Sequence, residues 1–160
     1  MVNNARKTSL YVLNTLDQGN KTLDSILDEA FSQHIFFSKK DRALLQALVY
    51  GVLRWQAKLD WIIDYFSKTR LRKIDPKVLN VLRLGLFQII SLDRIPVSAA
   101  VNTSVEMTKS LAAPYVVRFV NGLLRNAARN YKQVPYPDEN SDPASTDNLA
   151  EGCPIHPFNP

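Results

Sequence analysis

The run from Val78 to Ile90, "VLNVLRLGLFQII", constrains the fold of this chain more than any other segment. The Asp75-Pro76 pair before it supplies an N-cap and a proline at the first helical position, so a helix is predicted to about Ser91. Its apolar residues cover nearly every side. A helix of this kind lies in the middle of a bundle, surrounded by other helices. Gly85 predicts a point where a neighbouring helix approaches closely.

Apolar residues at helical spacing predict the other helices, and no strand pattern competes with them. The first helix covers about Asn4 to Asp17, and the second follows Thr22 as its N-cap. The third begins at Ser38, where "SKKD" has the form of a capping box with Asp41. From there an apolar seam continues at steps of four and three residues as far as Phe66, which is too long for one average helix.

This seam predicts a bent helix or two helices, with the break between Gly51 and Lys58. Arg42 and Arg54 lie on it and are interpreted as structural partners of Asp60, Asp64 or other acids. The last helix is predicted to begin at Pro114. The helix before it is predicted to bury Val97, Ala100, Val101, Val105, Thr108 and Leu111. Together these segments predict an all-α bundle of about seven helices.

Charge divides the chain into two parts. All 20 Lys and Arg precede Val134, together with ten of the 15 acidic residues, so residues 1–133 carry a net charge of +10. The remaining residues, 134–160, carry the other five acidic residues and no base, and they are rich in Pro, Asp and Ser. We predict a helical domain over residues 1–133, followed by a linker or disordered acidic tail. A basic domain attracts polyanions such as nucleic acid or an anionic membrane.

The last helix, with the sequence "VVRFVNGLLRNAARN", separates its charges from its apolar residues. At about 100° per residue, Arg118, Arg125, Arg129 and Lys132 fall within an arc of roughly 60°. The opposite side carries Val116, Val120, Leu123 and Ala127. No acidic residue occurs between Ala112 and Pro137, so nothing along the helix neutralises the basic side. The pattern predicts a phosphate-binding face, with a purely solvated surface as the alternative. Gly122 on that side would let a phosphate approach closely.

Two further basic clusters precede this helix. One is Lys68, Arg70, Arg72, Lys73 and Lys77, in the connector and at the start of the helix that follows it. The other is Arg6 and Lys7 near the N-terminus. We predict that both assist the last helix.

The chain shows no catalytic constellation and no glycine-rich phosphate loop. His34, Cys153 and His156 are too few and too scattered for a metal site, so neither a metal nor a cofactor is predicted. The single cysteine suggests a reducing compartment, and with no predicted signal peptide or membrane span we expect a cytoplasmic protein.

Three segments in the same order resemble one family. They are "DRALLQALVYGVLRW" with "LDWII", "LRLGLFQII" with "DRIPVSAAVNTSVEMTK", and "RFVNGLLRN". Together they resemble the NusB/RsmB-like RNA-binding domain from about Arg6 to Tyr131. The resemblance implies an all-helical fold in two subdomains and RNA, with rRNA favoured, as the partner.

Within that family, the chain looks more like the N-terminal domain of the small-subunit rRNA cytosine-5 methyltransferases. Arg125 after "NGLL", the tryptophans Trp55 and Trp61, and a tail leading to His156-Pro157 carry this similarity. No segment of this sequence resembles the catalytic domain of those methyltransferases or its Pro-Cys and Thr-Cys cysteines. The resemblance therefore implies a non-catalytic RNA-recognition domain.

Two alternatives stay open. The chain could be a stand-alone transcription antitermination factor that binds single-stranded RNA with a ribosomal protein. Tyr115, Asn121 and Asn126 would then contact bases, although a helix-packing hydrogen bond is favoured for Asn121. The other alternative is a helical protein–protein adaptor with incidental charge. Partner binding would then survive charge reversal on the last helix.

Overall fold

The computed structural model describes residues 4–34 and 37–136, and these residues contain helices and no strands. The six α-helices are α1 (Asn4–Asp17), α2 (Leu23–Gln33), α3 (Lys39–Phe66), α4 (Pro76–Ser91), α5 (Val97–Lys109) and α6 (Pro114–Asn130). Short 3₁₀ turns occupy Leu71–Lys73 and Tyr131–Gln133. The predicted all-α class is confirmed. Six helices are present because the apolar seam forms one helix, α3, with a bend.

Local signals in the sequence set the helix starts. The Thr22 side chain accepts a hydrogen bond from the Ser25 amide, and Ser38 and Asp41 form the predicted capping box. The Asp75 side chain caps α4 by accepting from the Lys77 amide. Each such cap stabilises a helix by about 1 kcal/mol. The bend in α3 lies at Trp55, whose φ of −105° and ψ of 15° fall inside the predicted interval.

The fourth helix lies at the centre of the bundle, as predicted. It packs against α1, α3, α5 and α6, and its residues from Val78 to Gln88 are all buried. A Cβ placed on Gly85 would lie 2.7 Å from the Ser104 Oγ and 2.9 Å from the Leu124 Cδ1. Both α5 and α6 therefore approach the α4 backbone where the sequence predicted a close contact. Helix α1 packs against α2 and α3, whereas α4, α5 and α6 pack on one another, and α4 also packs on α1 and α3. The division into two subdomains stays a prediction.

The burial prediction for α5 is correct in the middle of the helix and wrong beside its ends. Val97 is 45% exposed and Leu111 is 38% exposed, whereas Ala100, Val101 and Thr108 are buried. Val97 is the first residue of α5, and Leu111 follows its last residue. Helical periodicity therefore cannot predict the burial of Leu111, and it predicts the burial of Val97 least reliably.

Among the described residues, neither arginine of α3 forms a predicted ion pair. The Arg42 guanidinium lies 5.4 Å from the Phe31 ring centroid, and that of Arg54 lies 5.2 Å from the Trp55 ring. The partner of Asp60 is Arg83 on α4, which donates from Nε to Oδ1 at 2.7 Å and from Nη2 to Oδ2 at 2.8 Å.

This pair is part of a polar network inside the bundle. The Arg83 Nη1 donates to the Asn80 Oδ1 at 3.0 Å, and the Asn80 amide nitrogen donates to Asn14 and Asp17 on α1. Three helices, α1, α3 and α4, are therefore joined through side chains whose buried polar atoms all have partners.

The residues after α6 turn back onto α3. We call residues 134–136 the latch. Val134 is buried, the Trp61 Nε1 donates to the Pro135 carbonyl at 3.0 Å, and the Lys58 Nζ lies 4.7 Å from the Tyr136 ring centroid. The predicted tail begins with these packed residues. The rest of it, including Cys153 and His156, lies outside the described residues. Among the helices described here, none is long and apolar enough to cross a membrane.

Candidate nucleic-acid interface

The outer face of α6 presents the predicted row of arginines to solvent. Arg118, Arg125 and Arg129 are exposed. Across the helix, Val120, Leu123 and Ala127 are buried as predicted, together with Leu124, and Val116 is half-buried. The helix is therefore held to the bundle by one side and leaves the cationic side free.

Among the described residues, no carboxylate neutralises this face. Within the described ranges, the ion pairs are Lys21–Glu29, Arg83–Asp60 and Lys109–Glu106, and none of them involves α6. The Arg125 Nε instead donates to the Asn121 Oδ1, one turn earlier, at 2.9 Å. This bond within α6 replaces the helix-packing bond favoured for Asn121. It orients the guanidinium, and because Asn121 is a neutral acceptor it does not cancel the positive charge of Arg125.

The middle of the row is open to a bulky group. Gly122 is exposed, and a Cβ placed there would have no atom within 4 Å. A phosphate or a sugar could therefore approach the backbone between Arg118 and Arg125. Lys132 continues the row into the 3₁₀ turn after α6, and its Nζ lies 6.0 Å from the Tyr131 ring centroid.

The structure brings the connector cluster to the start of α6. Lys68, Arg70, Arg72 and Lys73 are all exposed, and Ile74 behind them is buried. A cleft of about 520 Å³ separates this connector from α6. Lys73 lines one side of it, and Tyr115 and Phe119 line the other. Tyr115 is 69% exposed, so its aromatic ring is accessible at a cleft whose lining also contains the cation Lys73 and the acid Asp75.

The N-terminal cluster lies elsewhere. Lys7 is exposed, but Arg6 is half-buried and its Nε donates to the Gln88 Oε1 at 2.6 Å. Burial lowers the pKa of Arg6 because it removes water from the charged form. Gln88 is near the end of α4 and the cleft is at its start, so at 1.5 Å per residue the two lie roughly 20 Å apart along the helix.

Sequence reasoning missed two features of this surface. Leu111 was predicted to be buried in the core, but it lines the cleft. Nothing in the sequence indicated the hydrogen bond between Arg6 and Gln88. Leu111 precedes Pro114 by three residues, which is a signal for a turn residue instead of a core residue.

Comparisons with known proteins agree with this architecture. A family model described as the NusB family matches residues 3–129. The probable ribosomal RNA small subunit methyltransferase B of Synechocystis is 34% identical over 129 residues, which are 81% of this chain and 29% of that protein. The chain thus spans less than a third of this relative.

Two further comparisons come from antitermination proteins. The transcription antitermination protein NusB of Dictyoglomus thermophilum is 36% identical over 99 residues, which cover 61% of this chain and 69% of that protein. A crystal structure of antitermination factors NusB and NusE in complex with dsRNA aligns with a TM-score of 0.71 at 24% identity. It covers 79% of this chain and 95% of that one, and shows the shared fold. With its helices, its central α4 and its matched span, this chain belongs to the NusB family.

Proposed function

We propose that this chain binds RNA through the outer face of α6. The observation that carries the proposal is the row of exposed arginines without a carboxylate partner in the described residues. Unneutralised cations along a helix release counterions when they contact phosphates, and this release favours binding. Such contacts position an RNA without reading its sequence.

The proposed binding set extends beyond α6. Arg118, Arg125, Arg129 and Lys132 form its centre, and the connector cluster extends it across the cleft. Arg6 and Lys7 bind a separate part of the same RNA. The RNA-binding unit in this proposal is residues 1–133, with residues 134–160 as the linker.

The methyltransferase relative supports a more specific role. The match to it covers 29% of its length, so the shared part is one portion of a larger protein. We infer that the portion seen here recognises small-subunit ribosomal RNA and does not itself carry the transfer chemistry. A chain that binds ribosomal RNA in this way would be located in the cytoplasm.

A second candidate is an antitermination factor that binds RNA together with a ribosomal protein. It is supported by the similarity to the Dictyoglomus protein, which covers 69% of that relative. Adding such a protein partner separates the candidates. A factor of this second kind gains RNA affinity when the partner is present, whereas a methyltransferase recognition domain binds at the same affinity without it.

The test is RNA binding across a series of salt concentrations, with wild type and the Arg125→Glu/Arg129→Glu variant. Each phosphate contact that is lost should flatten the slope of log affinity against log salt by about 0.7 to 0.9. We therefore expect a loss of affinity of about tenfold or more at low salt, and a slope flatter by roughly 1.5.

The matched control is Lys39→Glu/Lys40→Glu at the start of α3, where both lysines are exposed. It changes the net charge by the same amount at a distant helix end. An equal loss in the control would mean that only total charge matters. An unchanged slope in the α6 variant would rule out this face, and retained binding of a protein partner would then favour an adaptor.

A further inference from the structure

The bond between Arg6 and Gln88 has a defined orientation. The Arg6 Nε can only donate, so the Gln88 oxygen must face it at 2.6 Å. The Gln88 Nε2 donates to the Leu84 carbonyl at 3.0 Å, and a carbonyl can only accept. Both partners therefore fix the same orientation of the amide. Gln88 itself is 0% exposed.

The Arg6 side chain is held without being neutralised. Gln88 is a neutral acceptor, and within residues 4–34 and 37–136 no carboxylate forms an ion pair with Arg6. Arg83 provides the contrast, because Asp60 takes two of its nitrogens and cancels its charge. A glutamate at position 88 would do the same for Arg6.

The terminal nitrogens of Arg6 are the groups left for a ligand. The bond to Gln88 uses Nε, and among the described residues no hydrogen bond involves its two Nη groups. A guanidinium whose rotation is fixed at Nε presents these two donors as a fork that matches a phosphate. Fixing the fork before binding reduces the entropy lost when the phosphate arrives.

We propose that Gln88 is a positioning residue that holds Arg6 for a phosphate of the RNA backbone while leaving its positive charge intact. This inference rests on the proposed RNA-binding function. It assigns a purpose to a fully buried amide near the end of α4 that the packing of this helix alone does not require.

The main test is Gln88→Glu, which keeps the shape and the bond to Arg6 but adds a negative charge. We expect the salt slope of RNA binding to flatten by about 0.7 to 0.9, the value for one lost phosphate contact. Arg6→Gln should flatten it by the same amount. Gln46→Glu, at an exposed position on α3, changes net charge equally and should leave the slope unchanged.

A second variant, Gln88→Met, separates positioning from charge. It keeps a similar volume and removes the acceptor, so Arg6 remains charged but is no longer fixed. We expect a few-fold loss of RNA affinity at the wild-type salt slope. Circular dichroism and thermal unfolding check the fold of each variant. If Gln88→Glu does not fold, the two single variants Arg6→Gln and Gln88→Met decide the question.

The outcomes distinguish this inference from the function on which it rests. If Arg125→Glu/Arg129→Glu weakens RNA binding and Arg6→Gln leaves the slope unchanged, the inference is wrong and RNA binding by α6 stands. A wild-type slope for folded Gln88→Glu overturns the role of the neutral amide. Failure of the wild type to bind RNA overturns both.

Discussion

Arginines occur in two opposite settings in this molecule. Inside the bundle, Arg83 has both of its Asp60 contacts and a third bond to Asn80, and the two charged side chains are 10% and 16% exposed. On the outer face of α6, Arg118, Arg125 and Arg129 are exposed and have no carboxylate partner among the described residues. The first setting joins helices, and the second leaves charge available to a ligand.

Residue type alone therefore does not distinguish a neutralised arginine from one whose charge is available to a ligand. Arg83 lies in an apolar helix, where an unpaired charge would be expected to destabilise the fold. It is accommodated because Asp60 and Asn80 satisfy its guanidinium, which a buried charge requires. The α6 arginines need no such support because water solvates them, and their removal should have little effect on folding.

The largest effect is expected from breaking the interior pair. Asp60→Asn removes the negative charge and leaves Arg83 partly buried without compensation. We expect the free energy of unfolding to fall by about 2 to 3 kcal/mol. Urea unfolding measures it. Asp64→Asn, one turn further along α3 and exposed, is the matched control and should stay within about 0.5 kcal/mol of wild type. Equal stability of the two variants would contradict the contrast between interior and surface.

Two glycines give a smaller test of the same contrast. A Cβ at Gly51 on α3 would overlap the Phe87 ring on α4, whereas at Gly122 it would meet nothing within 4 Å. We expect Gly51→Ala to destabilise the protein by about 1 to 3 kcal/mol and Gly122→Ala to stabilise it by up to about 1 kcal/mol. Thermal unfolding distinguishes them. If RNA approaches α6 at Gly122, the stabilised variant should still bind RNA less tightly, and unchanged affinity would place the RNA elsewhere.

The smallest effect concerns Lys58, a cation in an intermediate setting. Burial lowers its pKa to about 8, so the folded chain releases this proton before the unfolded chain does. From pH 8 to about 10.4 the unfolded state binds more protons, and the free energy of unfolding should rise with pH. Solvent screening and attraction of the charged form to the Tyr136 ring limit the rise to roughly a few tenths of a kcal/mol.

The measurement for Lys58 is the difference in unfolding free energy between wild type and Lys58→Met at pH 7.5 and pH 10. Titrating groups that are remote from Lys58 contribute equally to both proteins and cancel. The difference should shift in favour of the wild type at the higher pH. A constant difference would show that the charge on Lys58 is not desolvated by the fold.

Much of the fold follows from local signals in the sequence. The caps at Thr22, Ser38 and Asp75 and the bend near Trp55 depend on residues within a few positions of one another. The central place of α4 follows because a helix that is apolar on all sides has no stable position at a surface. These features could be predicted since neighbouring residues alone decide them.

The candidate site was only partly predictable. The exposed arginine row follows from helical periodicity, which places each side chain on a face. Its relation to Lys73, Tyr115 and Arg6 depends on how helices meet across the bundle, and residues far apart in the chain decide that. The partner of Asp60 was missed for the same reason, because Arg42 and Arg54 were considered for Asp60, Asp64 or other acids, and Arg83 on another helix was not.

The latch determines where the chain leaves the helical domain. Trp61 and Lys58 hold residues 135 and 136 against α3, so every residue from 137 onward starts its path at that surface. Residue 136 is therefore the tether point on α3 for any part of the chain that is joined to it. Releasing the three latch residues would lengthen the tether by about 10 Å. The indole of Trp61 thus fixes the point from which that tether is measured.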